Sequence, residues 1–237
     1  MASDLGRHQT ELLEAHRLAS IGQVASGVAH ELNNPLGVIL GYVTLLRRDG
    51  EREELRIIED ETRQAQAIVA GLLELARPVK LDRTEVDIGD VLREAASRLD
   101  ESGRAEGVSI RVRESTCPRV NVDEGKIRQI VINLVGNAVD AARDPVATST
   151  EIEVTCSVRE GRAWIDVLDR GPGISTDVKT RIFEPFFTTR ARGHGLGLAI
   201  ARTLARAHGG DIELDAREGG GTRASLCLPL EVAEQAA

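Results

Sequence analysis

Two long stretches with helical spacing of apolar residues open this chain, and they restrict its first third to a pair of helices. In the first stretch the apolar residues follow one another at intervals of three or four, at Leu18, Ile21, Ala25, Val28, Leu32, Leu36, Ile39, Val43 and Leu46. A break at Arg48-Asp49-Gly50 precedes a second stripe, which ends at Pro78. Such spacing places the apolar side chains on one face of each helix. We expect an antiparallel helical hairpin that pairs with a second copy to form a dimeric four-helix bundle.

The first predicted helix carries a histidine with polar neighbours, in the run Ala29-His30-Glu31-Leu32-Asn33-Asn34-Pro35-Leu36. A neutral imidazole is a nucleophile when one ring nitrogen keeps its lone pair, and Glu31 can accept a hydrogen bond from the other nitrogen of His30. Asn34 lies one turn after His30 and hence on the same face of the helix. Periodicity alone would favour a structural coiled coil, so these neighbours are what indicate a reactive site.

Short β-type runs alternate with helical runs after Pro78. The β-type runs lie at 109–112, 152–158, 164–168, 212–214 and 224–228, and the helical runs lie at 88–99, 124–142 and 198–207. Strands segregated among helices in this way indicate an α/β two-layer sandwich. We therefore predict a helical hairpin domain at 1–78, a sandwich domain at 79–231 and a tail at 232–237.

Composition narrows the range of functions. The net charge of −8 and the pI of about 5.3 argue against a nucleic-acid groove. Cys117, Cys156 and Cys227 show no metal-ligand spacing, and we expect three reduced, mostly buried thiols. The sequence has no signal peptide and no apolar run of membrane-spanning length. We therefore expect a cytoplasmic protein, or the cytosolic part of a larger receptor, without membrane contact of its own.

Two asparagines interrupt the otherwise apolar run 130–138 of a predicted helix. Asn133 and Asn137 lie one turn apart and therefore share a face. Asparagine is a mediocre helix former, so two of them inside a buried-looking helix imply polar partners. A cation that is held by carboxamide oxygens and bridges phosphates would fit. The alternative is that both side chains cap a neighbouring loop.

An acidic residue and two glycines follow the predicted strand 164–168. Asp169 ends the strand, and Gly171 and Gly173 come directly after it, which lets a ligand ring approach the backbone. The carboxylate can accept a hydrogen bond from an exocyclic amine such as that of adenine. Ordinary turns have similar sequences, so this signal is weak by itself.

An aromatic cluster and a glycine cluster flank a polar segment farther along the chain. All three phenylalanines fall within 183–187, which indicates a local anchor for a mobile loop. The run Gly193-His194-Gly195-Leu196-Gly197 then precedes a predicted helix, whose free N–H groups and dipole would favour phosphate. Its spacing differs from those of the dinucleotide-binding and P-loop motifs. Gly219-Gly220-Gly221-Thr222 forms a turn before the final strand.

In this order, downstream of the histidine helix, the motifs resemble those of two-component sensor histidine kinases over about residues 10–231. The resemblance implies a dimerisation and phosphotransfer hairpin, followed by the ATP-binding Bergerat fold shared with gyrase, Hsp90 and MutL. The run 30–35 is similar to the HExxNP form of nitrogen-regulation-type kinases. The resemblance also implies ATP and Mg²⁺ as cofactors, a homodimer formed through the hairpin, and a response-regulator receiver domain as partner.

The resemblance further implies a role for each matching residue. His30 would accept the phosphoryl group, with Glu31 as general base and Asn34 supporting dephosphorylation. Asn137 matches the magnesium ligand, and Asn133 lies beside the phosphates. The residues expected around the adenine are Asp169, Gly171, Gly173 and Thr222. The residues expected in the lid and the phosphate cradle are Thr188, Thr189, Arg190, His194, Gly195, Leu196 and Gly197.

Two differences from related proteins bear on mechanism. Asn133 stands where ATP-hydrolysing relatives carry a water-activating glutamate, so we expect little hydrolysis. Asp140-Ala141 stands where many of these kinases carry a Lys-Tyr pair. Phosphate contacts must then come from Arg190, His194 or Arg143, which the sequence does not rank.

The function expected from the resemblance is ATP-dependent autophosphorylation of His30, followed by phosphoryl transfer to an aspartate of a response regulator, with regulator phosphatase activity. A dimeric ATP-binding signalling scaffold without autokinase activity is the alternative. An ATPase clamp similar to MutL is a third hypothesis, and Asn133 argues against it because an amide cannot act as a base.

Overall fold

The computed structural model of the chain describes residues 33, 36–46, 53–113, 117–190 and 193–230. The chain divides into two compact units, Met1–Pro78 and Val79–Ala237. The predicted catalytic residues His30, Glu31 and Asn34 lie outside the described residues, as does the tail 232–237. None of the helices within the described ranges is long and apolar enough to cross a membrane.

The first unit is helical in its described ranges. Residues 36–46 form helix α1, and Glu53–Ala76 form helix α2. Val43, Val69 and Leu75 are buried. Many other apolar side chains of the two helices are exposed, namely Val38, Ile39, Tyr42, Leu45, Leu46, Ile57 and Ile58. Exposed apolar side chains in this number on a small unit indicate a surface that needs a partner.

The second unit contains strands and helices in alternation. In chain order these are β1 Thr84–Asp87, α3 Ile88–Glu101, β2 Ser109–Arg113, β3 Arg119–Val122, α4 Glu124–Ala142, β4 Glu151–Arg159, β5 Arg162–Leu168, α5 Thr176–Arg181, α6 Gly197–Ala207, β6 Asp211–Ala216 and β7 Thr222–Pro229.

A five-stranded sheet in the order β2-β4-β5-β7-β6 forms one layer of this unit. Strand β2 runs parallel to β4, and the other neighbouring strands are antiparallel. Helices α3, α4 and α6 contact the sheet and form the second layer. Ile127 and Ile130 of α4 are completely buried, as are Ile152 and Ile165 of the strands. This arrangement confirms the predicted α/β two-layer sandwich.

Strands β1 and β3 form a separate antiparallel pair that the sequence did not predict. Each strand has four residues, and Glu85 lies opposite Asn121 in the pair. A strand of this length covers only two alternations of side chains, which is too short for a periodic signal.

The prediction of three reduced thiols is wrong for two of the cysteines. Cys117 and Cys156 form a disulfide, with their Cα atoms 5.3 Å apart, while Cys227 is free and buried. A disulfide spans such a Cα separation readily. Cys117 precedes β3 and Cys156 lies in β4, 39 residues further on, so only the tertiary fold brings the two thiols together.

Candidate functional site

A cavity of about 450 Å³ lies beside α4, and we call it the α4 cavity. Its volume is within the range of small-molecule sites. Most of the predicted site residues of this unit line it, namely Asn133, Asn137, Asp169, Gly173, Thr188, Thr189, Arg190, His194, Gly195, Gly197 and Thr222. Gly171 and Leu196 are adjacent to lining residues without lining the cavity themselves. The fold therefore assembles in one place residues that are up to 89 positions apart, from Asn133 to Thr222.

Asp169 follows β5 and is buried at the floor of the α4 cavity. Its Oδ1 accepts hydrogen bonds from the backbone N–H groups of Gly171, at 2.8 Å, and Thr222, at 3.1 Å. Burial raises the pKa of the Asp169 carboxyl above its ordinary value, and these two hydrogen bonds oppose the rise only in part. The arrangement fixes a buried hydrogen-bond acceptor that faces the cavity.

Glycine is required at two positions around this carboxyl. A Cβ atom on Gly171 would lie 2.7 Å from the carbonyl oxygen of Ala141 on α4. Gly221 has a φ of +94°, and a Cβ atom there would lie 2.2 Å from the carbonyl oxygen of Asp169. Both glycines therefore permit the close backbone contacts that hold Asp169 against α4 and β7.

Asn133 joins α4 to the start of α6. Its Nδ2 donates to the carbonyl oxygen of Gly197 at 3.2 Å. This contact agrees in part with the alternative that the asparagine caps a neighbouring segment. Both asparagines also line the α4 cavity.

Arg190 connects the polar segment after the phenylalanines to α4. Its Nη1 lies 2.9 Å from Oδ2 of Asp140 and donates to Oδ1 of Asn137 at 3.4 Å. Its Nη2 donates to the carbonyl oxygen of Asn137 at 2.8 Å. The guanidinium thus covers the side chain expected to bind the cation.

The structure separates the three candidate phosphate ligands. Arg190 and His194 line the α4 cavity, and His194 Nδ1 is buried without a hydrogen-bond partner in the described part of the chain. Arg143 does not line it, because its Nη2 donates to the carbonyl oxygens of Arg104 and Glu106, both at 2.8 Å. Arg143 was therefore a wrong candidate for direct contact.

Helix α6 begins at the glycine cluster without a side-chain cap. Leu196 occupies the N-cap position and makes no side-chain hydrogen bond. Gly195 has a φ of +66°, and a Cβ atom there would lie 2.5 Å from the carbonyl oxygen of Phe187. The uncapped N–H groups and the positive end of the helix dipole suit a phosphate group.

Two arginines hold the aromatic anchor in place. The guanidinium of Arg202 lies 4.3 Å from the ring centroid of Phe183, and that of Arg181 lies 4.5 Å from that of Phe187. These distances are typical of cation–π contacts. The cluster therefore fixes one end of the segment that carries Thr188 to Arg190.

Sequence reasoning missed Arg104 and Asp144, which also line the α4 cavity. Arg104 comes from the loop after α3, outside every motif. The one sequence signal for it is Gly136, a glycine in the middle of a buried helix, over which the Arg104 side chain lies.

Two protein families match this chain. Residues 122–232 match the family described as "Histidine kinase-, DNA gyrase B-, and HSP90-like ATPase". Residues 20–79 match the "His Kinase A (phospho-acceptor) domain". The two matches cover the sandwich from the last residue of β3 onward and the helical unit from residue 20 onward.

Curated proteins similar to this chain include histidine kinases. The sensor histidine kinase ZraS of Escherichia coli O157:H7 is 32% identical over 230 residues, which are 94% of this chain and 49% of the relative. The kinase AtoS of Escherichia coli K12 is 32% identical, over 94% of this chain and 37% of the relative. The chain thus spans about half or less of the length of these relatives.

Solved structures of histidine kinases share the fold. Full-length ShkA in complex with AMPPNP matches with a TM-score of 0.72 and 29% identity, over 87% of this chain and 45% of that one. ThkA in complex with the response regulator TrrA matches with a TM-score of 0.64 and 28% identity, over 95% of this chain and 66% of that one.

Proposed function

The chain belongs to the family of sensor histidine kinases, and we propose on that premise that it binds Mg-ATP in the α4 cavity and phosphorylates itself on His30. The observation that carries the proposal is the convergence, in one cavity, of a buried carboxylate, two carboxamides and the uncapped start of α6. These groups suit, in turn, an adenine, a cation and a polyphosphate.

Asp169 would recognise the adenine. Its carboxylate is fixed by Gly171 and Thr222 and can accept a hydrogen bond from the exocyclic amine. A guanine presents a carbonyl oxygen at that position, which the carboxylate would repel. The α4 cavity should therefore prefer ATP to GTP.

The residues present fit Mg²⁺ bound together with a nucleotide. The described residues contain no cluster of three or more histidine, cysteine or carboxylate side chains that would hold a metal alone. Mg²⁺ commonly takes few protein ligands and completes its shell with phosphate oxygens and water. Asn137 would supply a carboxamide oxygen, with Asn133 beside it, and the bound ion would neutralise charge on the phosphates.

The imidazole of His30 would attack the γ-phosphorus and displace ADP, as the bond between the γ-phosphorus and the bridging oxygen breaks. Glu31 would accept a hydrogen bond from the second ring nitrogen. The phosphoryl group would then pass to an aspartate of a response-regulator receiver domain, and Asn34 would position a water whose attack on phosphorus releases inorganic phosphate. Two findings support this: the phospho-acceptor family matches residues 20–79, and the similar kinase ThkA was solved with its response regulator.

Asn133 should keep hydrolysis slow. A carboxamide cannot take a proton from water, and its Nδ2 is already committed to Gly197. Catalysis would then consist mainly of positioning and charge neutralisation, with turnover only when an imidazole approaches. The HExxNP subtype, the cytoplasmic location and the absence of nucleic-acid binding stay predictions.

Incubation with γ-labelled ATP and magnesium tests the proposal. We expect acid-labile, alkali-stable label on the wild type and on His16→Ala, the matched control from the same stretch, and none on His30→Ala. Label that persists on His30→Ala would place the acceptor elsewhere. ATP binding without label on any variant would favour the scaffold alternative.

A further inference from the structure

We propose that Arg104 is a phosphate-binding residue of the α4 cavity, which contacts the phosphate chain of ATP with its guanidinium from a loop outside the nucleotide-binding motifs. The inference rests on the proposed function, because it takes ATP as the ligand. It adds to the phosphate-binding residues an arginine that no sequence motif indicates.

Arg104 lies against the helix that carries both asparagines. A Cβ atom on Gly136 would lie 2.8 Å from Arg104 Nη2, 2.9 Å from its Cζ and 3.4 Å from its Nε. The guanidinium therefore packs against the backbone of α4 at the residue before Asn137. From there it reaches the cavity, which it lines together with Asn133, Asn137 and Asp140.

Gly136 provides the space for this side chain. Glycine inside a helix is destabilising relative to alanine, so a buried glycine in α4 calls for a compensating contact. The three heavy atoms nearest to its missing Cβ all belong to the Arg104 guanidinium. Any larger residue at position 136 would displace the guanidinium from the helix.

The backbone of Arg104 is held firmly while its side chain is exposed. Arg143, the C-cap of α4, donates from Nη2 to the carbonyl oxygens of Arg104 and Glu106. The next residue, Ala105, is buried and donates from its N–H to the carbonyl oxygen of Leu99 at 3.2 Å. Arg143 is thus a positioning residue that acts through Arg104.

The Arg104 guanidinium is not neutralised by the carboxylates that share the cavity with it. Asp140, Asp144 and Asp169 line the cavity, and Arg190 is paired with Asp140. Within the described part of the chain, no carboxylate forms an ion pair with the Arg104 guanidinium. An unpaired guanidinium beside a pocket for a polyphosphate can form the bidentate contacts that arginine makes with phosphate oxygens.

The first experiment compares dissociation constants for Mg-ATP and for adenosine by isothermal titration calorimetry. We expect Arg104→Ala to bind ATP roughly tenfold more weakly or worse, as for the loss of a charge-assisted hydrogen bond. Its affinity for adenosine should not change, and Arg104→Lys should recover part of the loss. Arg119→Ala is the matched control, because Arg119 pairs with Glu85 away from the cavity.

A second variant separates the phosphate contact from folding. Gly136→Ala should displace only the far end of a flexible side chain, so the melting temperature should stay the same or rise. ATP affinity should nevertheless fall, and adding Arg104→Ala should cause little further loss, since both changes remove one contact.

Three outcomes would overturn the inference. ATP affinities of Arg104→Ala and Gly136→Ala equal to that of the wild type would show that the contact does not exist. An equal loss for ATP and adenosine would assign Arg104 to the shape of the cavity rather than to phosphate. A wild type that binds no ATP would refute the proposed function together with this inference, whereas the first two outcomes leave the proposed function intact.

Discussion

At the scale of single residues, two buried titratable groups differ in role, because one lies in the cavity and the other has structural partners. Burial raises the pKa of the Asp169 carboxyl and lowers that of the His208 imidazole. In each case burial shifts the protonation equilibrium toward the neutral form. Asp169 nevertheless lies in the cavity, where a nucleotide would supply the donor that the charged form needs, whereas His208 has only structural partners.

Asp169→Asn should separate nucleotide binding from stability. Because the pKa of Asp169 is raised, its charge costs folding free energy above the pKa of the unfolded chain, and the neutral amide removes that cost. The melting temperature should therefore stay the same or rise. ATP affinity should fall about tenfold or more, since a hydrogen bond to a charged group contributes about 1.5–3 kcal/mol. Calorimetry of binding and of unfolding checks both, with the exposed Asp100→Asn on α3 as control.

His208 should make the fold sensitive to mild acid. Its Nδ1 lies 2.7 Å from the carbonyl oxygen of Leu204, and its Nε2 accepts the N–H of Asp123 at 3.1 Å. Because burial lowers the pKa of His208, stability is fully present above the unfolded value of 6.5 and is lost as the pH falls through the lower folded pKa. Protonation would leave the N–H of Asp123 without an acceptor, which costs about 1–3 kcal/mol.

Denaturant melts of the wild type and His208→Gln between pH 7.5 and about pH 5 would measure this effect. Glutamine can accept the same hydrogen bond and does not titrate, so the variant should lose less stability on acidification. If the free energy of unfolding of the two proteins fell equally as the pH is lowered, the role assigned to His208 would be contradicted.

At the scale of elements, the segment that carries Arg190 is docked on α4. Asp140 and Arg190 are about one-third exposed, at 36% and 38%, so their ion pair contributes at most about 1 kcal/mol. Asp140→Asn should weaken the docking and free Asn137 from the guanidinium. We expect ATP affinity to rise by up to about fivefold.

Asp144→Asn is the matched control for that prediction. Asp144 also lines the cavity, but Arg190 makes its ion pair with Asp140. Both substitutions remove a negative charge near the phosphates. Only an increase in ATP affinity of Asp140→Asn beyond that of Asp144→Asn therefore measures the effect of releasing Arg190. Equal effects of the two variants would rule out a role for the docked arginine.

The elements also show which parts of the fold could be predicted from the sequence. Helix α4 runs over the predicted residues 124–142, because nine of its residues are buried and their spacing is helical. The contact of Arg104 with Gly136 could not be predicted from the sequence, since it depends on how the loop after α3 packs against α4. The disulfide was not predicted for the same reason. Both contacts depend on how separate elements pack, and no motif in the sequence marks them.

At the scale of the whole molecule, the helical unit exposes apolar surface that a second copy would cover. Tyr42 is 65% exposed and Leu45 is 56% exposed. Burying a leucine side chain stabilises an assembly by about 1.5–3 kcal/mol. We therefore expect the protein to be a dimer in solution.

Sedimentation equilibrium of Leu46→Glu and Ile58→Glu tests this expectation. Both side chains are exposed in the single chain, so the helices should persist while the dimer dissociates at lower concentration. Glu61→Ala on α2 is the control, because Glu61 is exposed and polar. A monomeric wild type, or dimers unaffected by both apolar-to-acidic changes, would contradict a dimer formed through this unit.

The disulfide between Cys117 and Cys156 closes the chain into a covalent ring, and α4 lies entirely inside that ring. A single cut in the backbone between the two cysteines would leave both pieces attached to each other until the bond is reduced. The helix with Asn133 and Asn137 is thus tethered through both of its ends when the cysteines are oxidised. In the reduced protein the same helix is held by its packing and by the backbone that joins it to β3 and β4. The disulfide therefore adds a covalent link across the loop that contains this helix.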